Sequence, residues 1–149
     1  LEPLDVGRKA VSHGKFYFFD TGVVHRMLGR RSLPDGTHEY GKAFEAFVCH
    51  ELHAWQAYEA RDVPIRFWRT HGGHEVDFVV GDDVAVEVKA TRLANEHDGK
   101  GLLALDAART MRRLVLVTRD PAPRRIGRIE VLPWRDFLVQ LWGVGLMRV

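Results

Sequence analysis

The stretch FWRTHGGHEVDFVVGDDVAVEVKA, residues Phe67–Ala90, decides the fold. Two runs within it, His74–Val80 and Val84–Ala90, alternate between apolar and other side chains, which is the pattern of half-buried strands. Gly81-Asp82-Asp83 separates the runs and suits a short hairpin loop. The stretch therefore predicts a β-hairpin at the centre of the domain.

The charges of this hairpin predict its register. With a three-residue loop, Val80 pairs with Val84, and Asp77 then lies opposite Glu87. A two-residue loop would set Asp77 beside Val86 and mix charged with core side chains. We therefore expect the three-residue loop, with one apolar face formed by Val76, Phe78, Val80, Val84, Val86 and Val88.

In this register the Cβ atoms of Asp77 and Glu87 lie roughly 5 Å apart, so the two carboxylates repel each other unless a positive charge lies between them. Lys89, one diagonal step from Asp77, could supply that charge. A divalent cation is the other candidate, because hard carboxylate oxygens suit Mg²⁺ or Mn²⁺. The alternative is a solvated face on which charges happen to alternate. The matched parity of Asp77, Glu87 and Lys89 on adjacent strands favours a site.

Composition limits the class of protein. At 149 residues, with 46% hydrophobic and 28% charged residues, the chain has the size and make-up of a single globular domain. It contains no apolar run of membrane-spanning length and no signal-peptide pattern, so no membrane partner is expected. The single cysteine, Cys49, fits a reducing, cytoplasmic compartment and is expected as a small buried side chain. The eight histidines have no zinc-motif spacing.

Arginine outnumbers lysine 17 to 5, although genomic base composition alone could produce that total. The distribution is more informative, because a concentration of arginines can follow a nucleic-acid backbone. The arginines of this stretch are Arg109, Arg112, Arg113, Arg119, Arg124, Arg125 and Arg128.

The longest predicted helix is Gly41–Ala60. Its apolar stripe, at three- and four-residue steps, consists of Phe44, Phe47, Val48, Leu52, Trp55 and Tyr58. Glu45 lies at the edge of the stripe, where it is either an exposed helix charge or able to reach the charged face of the sheet. Glu51 lies near the middle of the stripe, where a carboxylate needs a partner. We expect Glu51 to be buried and paired, with Arg69 as a candidate.

The remaining elements are read from shorter patterns. The strand Val63–Thr70 turns at His71-Gly72-Gly73, which sets Arg69 opposite Glu75. We expect a lead-in without regular structure at Leu1–Lys15, a short helix at Val23–Leu28 and a loop at Arg30–Tyr40. We expect a helix at Gly99–Ala108, a strand at Leu114–Val117 and a loop at Arg119–Gly127. A further strand is expected at Ile129–Leu132 and a last helix at Pro133–Trp142.

This order of elements, with D…ExK on the second and third strands, resembles the PD-(D/E)XK nuclease fold over about Gly41–Thr118. The blocks GKAFEAFVCHEL, FWRTHGGHEVDFVV and VAVEVKA, flanked by FYFFDTGV and VLPWRDFL, are similar to a domain of unknown function, the 4143 type, at the C-terminus of predicted bacterial AAA+ ATPases. The resemblance implies one α/β domain over residues 1–149. Its fold would be three-layer and restriction-endonuclease-like, with a mixed sheet between helices, a core at 41–118 and a strand and helix at 128–142.

Carried over residue by residue, the superfamily's helix carboxylate falls on Glu45, its metal-binding aspartate on Asp77, its second acidic residue on Glu87 and its lysine on Lys89. No proline precedes Asp77, a position that varies in such folds. Glu51, Arg69 and Glu75 rank as supporting residues. Nucleic-acid contacts are expected from Arg109, Arg112, Arg113, Arg124 and Arg125.

The resemblance implies Mg²⁺- or Mn²⁺-dependent hydrolysis of nucleic-acid phosphodiester bonds, with DNA favoured over RNA. Asp77 and Glu87 would hold the metal. The chain starts with Leu1 and carries no Walker A sequence, so an ATPase module is expected elsewhere in a longer protein. A homo-oligomer is left open. The alternative is a catalytically silent nucleic-acid-binding or partner-docking domain of such an ATPase.

Overall fold

The computed structural model describes residues 1–5, 14–18, 20, 22, 26–27, 32–59, 62–143 and 146. Its strands are β1 Glu2–Pro3, β2 Ile65–Arg69, β3 Glu75–Val80, β4 Val84–Val88, β5 Arg113–Thr118, β6 Arg124–Ile126 and β7 Ile129–Pro133. Its helices are α1 His38–Tyr58, α2 Lys100–Ala108 and α3 Trp134–Trp142, with a 3₁₀ turn at Glu96–Gly99 before α2. The strands form one seven-stranded sheet in the order β1-β2-β3-β4-β5-β7-β6.

The central hairpin has the expected loop and register. Val80 pairs with Val84 and Phe78 with Val86, which confirms the three-residue loop. Arg69 pairs with Glu75 across the preceding turn, as the second predicted loop requires. The β3–β4 pairing ends at Phe78, one step before Asp77 and Glu87.

The expected common face of Val76, Phe78 and Val80 is wrong for Val76. Val76 packs with Val79 on one side of the sheet, whereas Phe78 and Val80 pack on the other. The cause is a bulge, because the β2–β3 register shifts between Arg66 and Trp68 so that β3 carries one extra residue. A bulge breaks strict alternation and re-aims side chains, and this one falls next to Asp77.

Both faces of the sheet are covered. One core is built from Phe78, Val80, Val84 and Val86 against α1 and α3, and includes the fully buried Trp55. The other core lies under α2, whose Leu102 and Leu105 are fully buried. The crossover through α2 sets β5 parallel to β4, while β2, β3 and β4 are antiparallel neighbours. The protein is therefore an α/β protein with a mixed sheet.

Helix α1 starts earlier than predicted. Thr37 caps it by accepting a hydrogen bond from the Tyr40 backbone N–H at 3.2 Å, so residues 38–40 belong to the helix and not to the expected loop. Its buried side is formed by Glu45, Ala46, Val48, Cys49, Leu52 and Trp55. Burial of Cys49 is confirmed, whereas Phe47 and Tyr58 of the expected stripe are 36% and 82% exposed. The side that packs on the sheet is thus rotated towards Glu45.

Two short edge strands were missed. Glu2–Pro3 pairs in parallel with β2 inside the expected lead-in, and two residues carry too little pattern to be recognised. Arg124–Ile126 pairs with β7 inside the expected loop, because the chain turns back at Gly127, whose φ is 56°. The short helix expected at Val23–Leu28 lies mostly outside the described residues. None of the described helices combines the length and apolar character needed to cross a bilayer.

Candidate functional site

A polar cleft of about 380 Å³ lies beside the point where the β3–β4 pairing ends. It is lined from α1, the turn before β3, both hairpin strands, the 3₁₀ turn and the start of α2. Among the predicted residues it brings together Glu45, Glu75, Asp77, Glu87 and Lys89. Glu45, Asp77 and Glu87 are each only 5% exposed. Three nearly buried carboxylates in one cleft need positive charges or strong donors around them.

Lys15 supplies the central positive charge, although the sequence analysis assigned it no role. Its Nζ lies 2.5 Å from Glu45 Oε1, 2.8 Å from Asp77 Oδ1 and 2.8 Å from Glu75 Oε1. Burial by itself lowers the pKa of the Lys15 ammonium, but the charges of Asp77 and Glu45 raise it above its usual value. Lys15 therefore stays protonated and acts as the counter-ion of the cluster.

Glu45 has two further donors. The Tyr17 hydroxyl donates to Glu45 Oε1 at 2.5 Å, and Lys42 Nζ lies 2.9 Å from Oε2. Burial alone would raise the pKa of Glu45, but the charge of Lys15 and these hydrogen bonds lower it to about 2. Glu45 is therefore an ionised carboxylate at neutral pH despite its burial.

Asp77 reaches across the gap between the strands. Its Oδ2 accepts a hydrogen bond from the Val88 backbone N–H at 2.9 Å, while its Oδ1 faces Lys15. Burial and the neighbouring Glu45 raise the pKa of Asp77, and Lys15 and the Val88 N–H act against this rise. Asp77 thus joins β3 to β4 at the point where their backbone pairing has ended.

Glu87 is the least satisfied of the three carboxylates. Its Oε1 lies 2.6 Å from Lys89 Nζ, but its buried Oε2 has no hydrogen-bond partner among the described residues. Burial and the charge of Asp77 raise the pKa of Glu87 to about 8, against the opposing effect of Lys89. A buried oxygen without a donor is costly, and a cation or a proton removes that cost.

The pKa of Glu87 leads to a stability prediction. Folded Glu87 keeps its proton up to pH about 8, whereas the ordinary value for the group is 4.5. Between these values the folded state binds more protons, so the free energy of unfolding falls as pH rises. Glu87→Gln is expected to flatten the stability curve between pH 5 and about 8, as measured by urea unfolding without metal. Parallel curves for the variant and wild type would mean that Lys89 keeps Glu87 ionised.

The oxygen donors of the cleft suit a divalent cation by their chemistry. Asp77 and Glu87 provide hard oxygen ligands, and Glu87 Oε2 is free to accept, so the residues fit Mg²⁺ or Mn²⁺ by their chemistry. In the present arrangement, however, Lys15 contacts Asp77 Oδ1 and Glu45 Oε1. Within the part of the chain that the structure describes, no group of three or more His, Cys, Asp or Glu side chains is arranged to hold a metal ion.

The supporting residues divide between two places. Arg69 binds Glu75 through Nη2 at 2.6 Å and Nε at 3.1 Å, at the cleft. Glu51 lies elsewhere, where its Oε2 accepts from the Trp142 indole N–H at 2.9 Å. Glu51 thus has a partner, but the partner is Trp142 and not the candidate Arg69, and the expected burial is wrong because Glu51 is only half-buried. The inward side of α1 runs through Glu45 and not through Glu51.

The side chains of the arginine-rich stretch form ion pairs within the domain. Each of its arginines has a carboxylate within 4.0 Å; the partners of Arg109, Arg112, Arg113, Arg119, Arg124, Arg125 and Arg128 are Asp82, Asp83, Glu130, Asp35, Asp120, Glu130 and Asp106, respectively. Arg113 is the most enclosed, with a side chain 10% exposed, and Arg125 is the most open, at 70%. A phosphate backbone would have to compete with these ion pairs.

A second hollow, of about 660 Å³, lies beside Lys15 and Tyr17 and includes Cys49 and His53 in its lining. Cys49 Sγ lies 3.5 Å from His53 Nδ1, but that nitrogen is also 2.8 Å from the Cys49 carbonyl oxygen one helical turn away. Burial raises the pKa of the Cys49 thiol to about 11. A thiol of this kind is not a nucleophile at neutral pH.

The contribution of Lys15 and Tyr17 follows from a simple alternation that sequence analysis passed over. Residues 14–18 have no regular secondary structure, and Lys15 and Tyr17 turn inwards while Phe16 and Phe18 are 78% and 57% exposed. This is the two-residue period of an extended chain. A lysine and a tyrosine alternating with exposed phenylalanines was the available signal.

Gly101 sets how closely α2 approaches the site. A Cβ at this position would lie 2.0 Å from the Glu75 carbonyl oxygen, so only glycine permits the contact. The first turn of α2 is thereby held directly against the strand that carries Glu75 and Asp77.

Comparison with known proteins shows the family. The model of the domain of unknown function DUF4143 matches residues 40–137, more than half of the chain. The uncharacterized proteins Rv2008c of Mycobacterium tuberculosis and Mb2031c of Mycobacterium bovis are each 32% identical over 92 residues, which cover 58% of this chain and 20% of each relative. The match thus spans about a fifth of the length of these relatives, and no solved structure matches the chain. The chain belongs to the DUF4143 family.

Proposed function

We propose that this domain is a metal-dependent nuclease of the PD-(D/E)XK superfamily that hydrolyses phosphodiester bonds in nucleic acid. The observation that carries the proposal is the convergence of Glu45, Asp77 and Glu87, each 5% exposed, in one cleft, with Lys89 bound to Glu87 at 2.6 Å. Buried carboxylates whose pKa values are shifted in a cleft are frequent at catalytic sites. The restriction-endonuclease-like arrangement is part of this proposal, and the helix, three strands, helix and strand α1-β2-β3-β4-α2-β5 support it.

The roles of the residues follow from their positions. Asp77 and Glu87 would hold Mg²⁺ or Mn²⁺, with Glu45 as an ionised third carboxylate acting directly or through water. The cation supplies charge neutralisation at the scissile phosphate and lowers the pKa of water. Lys89, whose side chain is 42% exposed, lines the cleft beside Glu87. Its ammonium would orient the attacking water or stabilise negative charge on the phosphate.

Cleavage of labelled DNA and RNA by the 149-residue chain with Mg²⁺ or Mn²⁺ tests the proposal. Asp77→Asn is expected to lower the cleavage rate on the order of 10²–10³-fold, since a neutral amide would hold less tightly the cation that neutralises charge at the scissile phosphate. Glu51→Gln, on the same domain but hydrogen-bonded to Trp142 outside the cleft, is the matched control and is expected to leave the rate unchanged. If Asp77→Asn cleaved nucleic acid at the wild-type rate, this cleft would not be the site of the reaction.

A chain that binds nucleic acid with a steep salt dependence, yet cuts neither DNA nor RNA with any divalent metal, would instead be a silent binding domain.

The relatives are about five times as long as the matched segment, which leaves room for an ATPase module in the same chain. We therefore include in the proposal that the domain works as part of an AAA+ ATPase, with DNA as the favoured substrate.

A further inference from the structure

The segment Gly14–Phe18, called here the strap, lies beside the carboxylates of the cleft. Lys15 points from it into the carboxylate cluster, and its side chain is only 14% exposed. Its ammonium contacts three carboxylates at 2.5–2.8 Å, one on α1 and two on β3. One residue of the strap therefore neutralises charges from two separate elements of the fold.

The Lys15 ammonium contacts two carboxylate oxygens that could otherwise bind a divalent cation. It contacts Asp77 Oδ1 and Glu45 Oε1, while the other oxygen of Asp77 is held by the Val88 N–H. Two cations in one nearly buried cluster would repel each other strongly, because the surroundings screen charge far less than water does. Lys15 and a metal ion therefore compete for Asp77 and Glu45.

We propose that the strap gates the cleft, so that a divalent cation binds to Asp77 and Glu87 only after Lys15 has left the cluster. This inference rests on the proposed function for the identity of the site as a metal site. It adds that the structure shows the closed state, in which Lys15 is the resident counter-ion of the carboxylates.

The contacts of the strap suit a movable element. It has no regular secondary structure, and the Lys15 backbone N–H donates to the Leu1 carbonyl at 3.0 Å rather than to the sheet. The Tyr17 ring lies on Phe78 at 5.9 Å between centroids, and the Tyr17 hydroxyl donates to Glu45. Lifting Lys15 and Tyr17 breaks these side-chain interactions and two backbone hydrogen bonds with Leu1, whose nitrogen also donates to the Lys15 carbonyl at 2.7 Å, and it leaves the pairing of β3 with β4 intact.

Mn²⁺ affinity, measured by calorimetry or by the electron paramagnetic resonance of free Mn²⁺, tests the gate without any assay of cleavage. Lys15→Met is expected to lower the Kd for Mn²⁺ on the order of 10- to 100-fold, the usual range for coupled binding equilibria. Lys15→Arg keeps the charge and is expected to stay near the wild-type value. Lys42→Met is the matched control, because Lys42 also contacts Glu45 but is 55% exposed; a change of about threefold or less is expected.

A second readout uses wild-type protein and stays valid if Lys15→Met fails to fold without metal. Trypsin cleaves after lysine, and displacement of the strap exposes Lys15. Mn²⁺ is expected to speed cleavage after Lys15 in wild type but not in Glu87→Gln, with Na⁺ at matched ionic strength as the control. If Mn²⁺ binds but the rate of trypsin cleavage after Lys15 does not change, the gate is overturned.

The outcomes separate the gate from the proposed function. Equal or weaker Mn²⁺ binding by folded Lys15→Met, with clear binding by wild type, overturns the gate and leaves the metal site in place. No binding by wild type, Lys15→Met or Lys15→Arg overturns both. Tighter binding by Lys15→Met alone, together with Mn²⁺-dependent cleavage after Lys15, supports the gate.

Discussion

Lys15→Met is expected to lower the free energy of unfolding of the metal-free protein by about 3–5 kcal/mol near pH 8, the usual cost of removing one partner from a buried ion cluster. The substitution keeps most of the side-chain volume but leaves Glu45 and Asp77 without the ammonium that lies 2.5 and 2.8 Å from them. Urea unfolding at fixed pH measures the loss. At pH 5 the loss should be smaller, because carboxylates deprived of Lys15 take up protons more readily.

Lys42→Met provides the control for this experiment. Lys42 contacts the other oxygen of Glu45 at 2.9 Å, but its side chain is 55% exposed, so solvent screens the pair. The expected loss is about 1 kcal/mol or less. Similar losses for both variants would show that Lys15 is as well solvated as Lys42 and has no special place in the cluster.

Arg113→Met is expected to lower the free energy of unfolding by about 3–5 kcal/mol as well, for the same physical reason. Arg113 binds Glu130 through two nitrogens at 2.8 and 3.1 Å, Gln140 Oε1 at 2.9 Å and the Leu146 carbonyl at 3.1 Å. It thereby joins the sheet to α3 and to the chain beyond it. Its loss would leave Glu130, 19% exposed, without its main cation.

Arg125→Met is the matched control for the arginine-rich stretch. Arg125 approaches the same Glu130 only to 3.9 Å and is 70% exposed, so its effect on stability should be within about 0.5 kcal/mol. Filter binding to DNA at several salt concentrations would complete the comparison. A stable Arg113→Met variant with weakened DNA binding would make Arg113 a phosphate contact instead of a structural one.

Local pattern was sufficient to predict the central hairpin. The loop at Gly81-Asp82-Asp83 and the pairing of Arg69 with Glu75 both follow from alternation and charge within a few residues. The bulge that separates Val76 from Phe78 could not be predicted in this way. It depends on how β3 pairs with β2, where the register shifts between Arg66 and Trp68, and not on the pattern of either strand alone.

The candidate site was predictable where its residues come from strands with a readable period. Asp77, Glu87 and Lys89 belong to that class. Glu45 and Glu51 could not be ranked securely, because the apolar residues of α1 extend over more of its surface than the sheet covers. The partners of Lys15 were out of reach for another reason: Lys15 is 62 residues from Asp77, and the short alternation at residues 14–18 carries no sign of which groups the lysine contacts.

The contact at Gly101 has a consequence for the diversity of related chains. Since a methyl group there would meet the Glu75 carbonyl at 2.0 Å, any homologue with a larger residue at this position must hold its second helix farther from the strand. That displacement would widen the cleft, because Gly101 belongs to its lining. The residue aligned with Gly101 should therefore indicate how wide a ligand the cleft of each related domain can bind. Domains with glycine at this position should bind only the narrowest ligands.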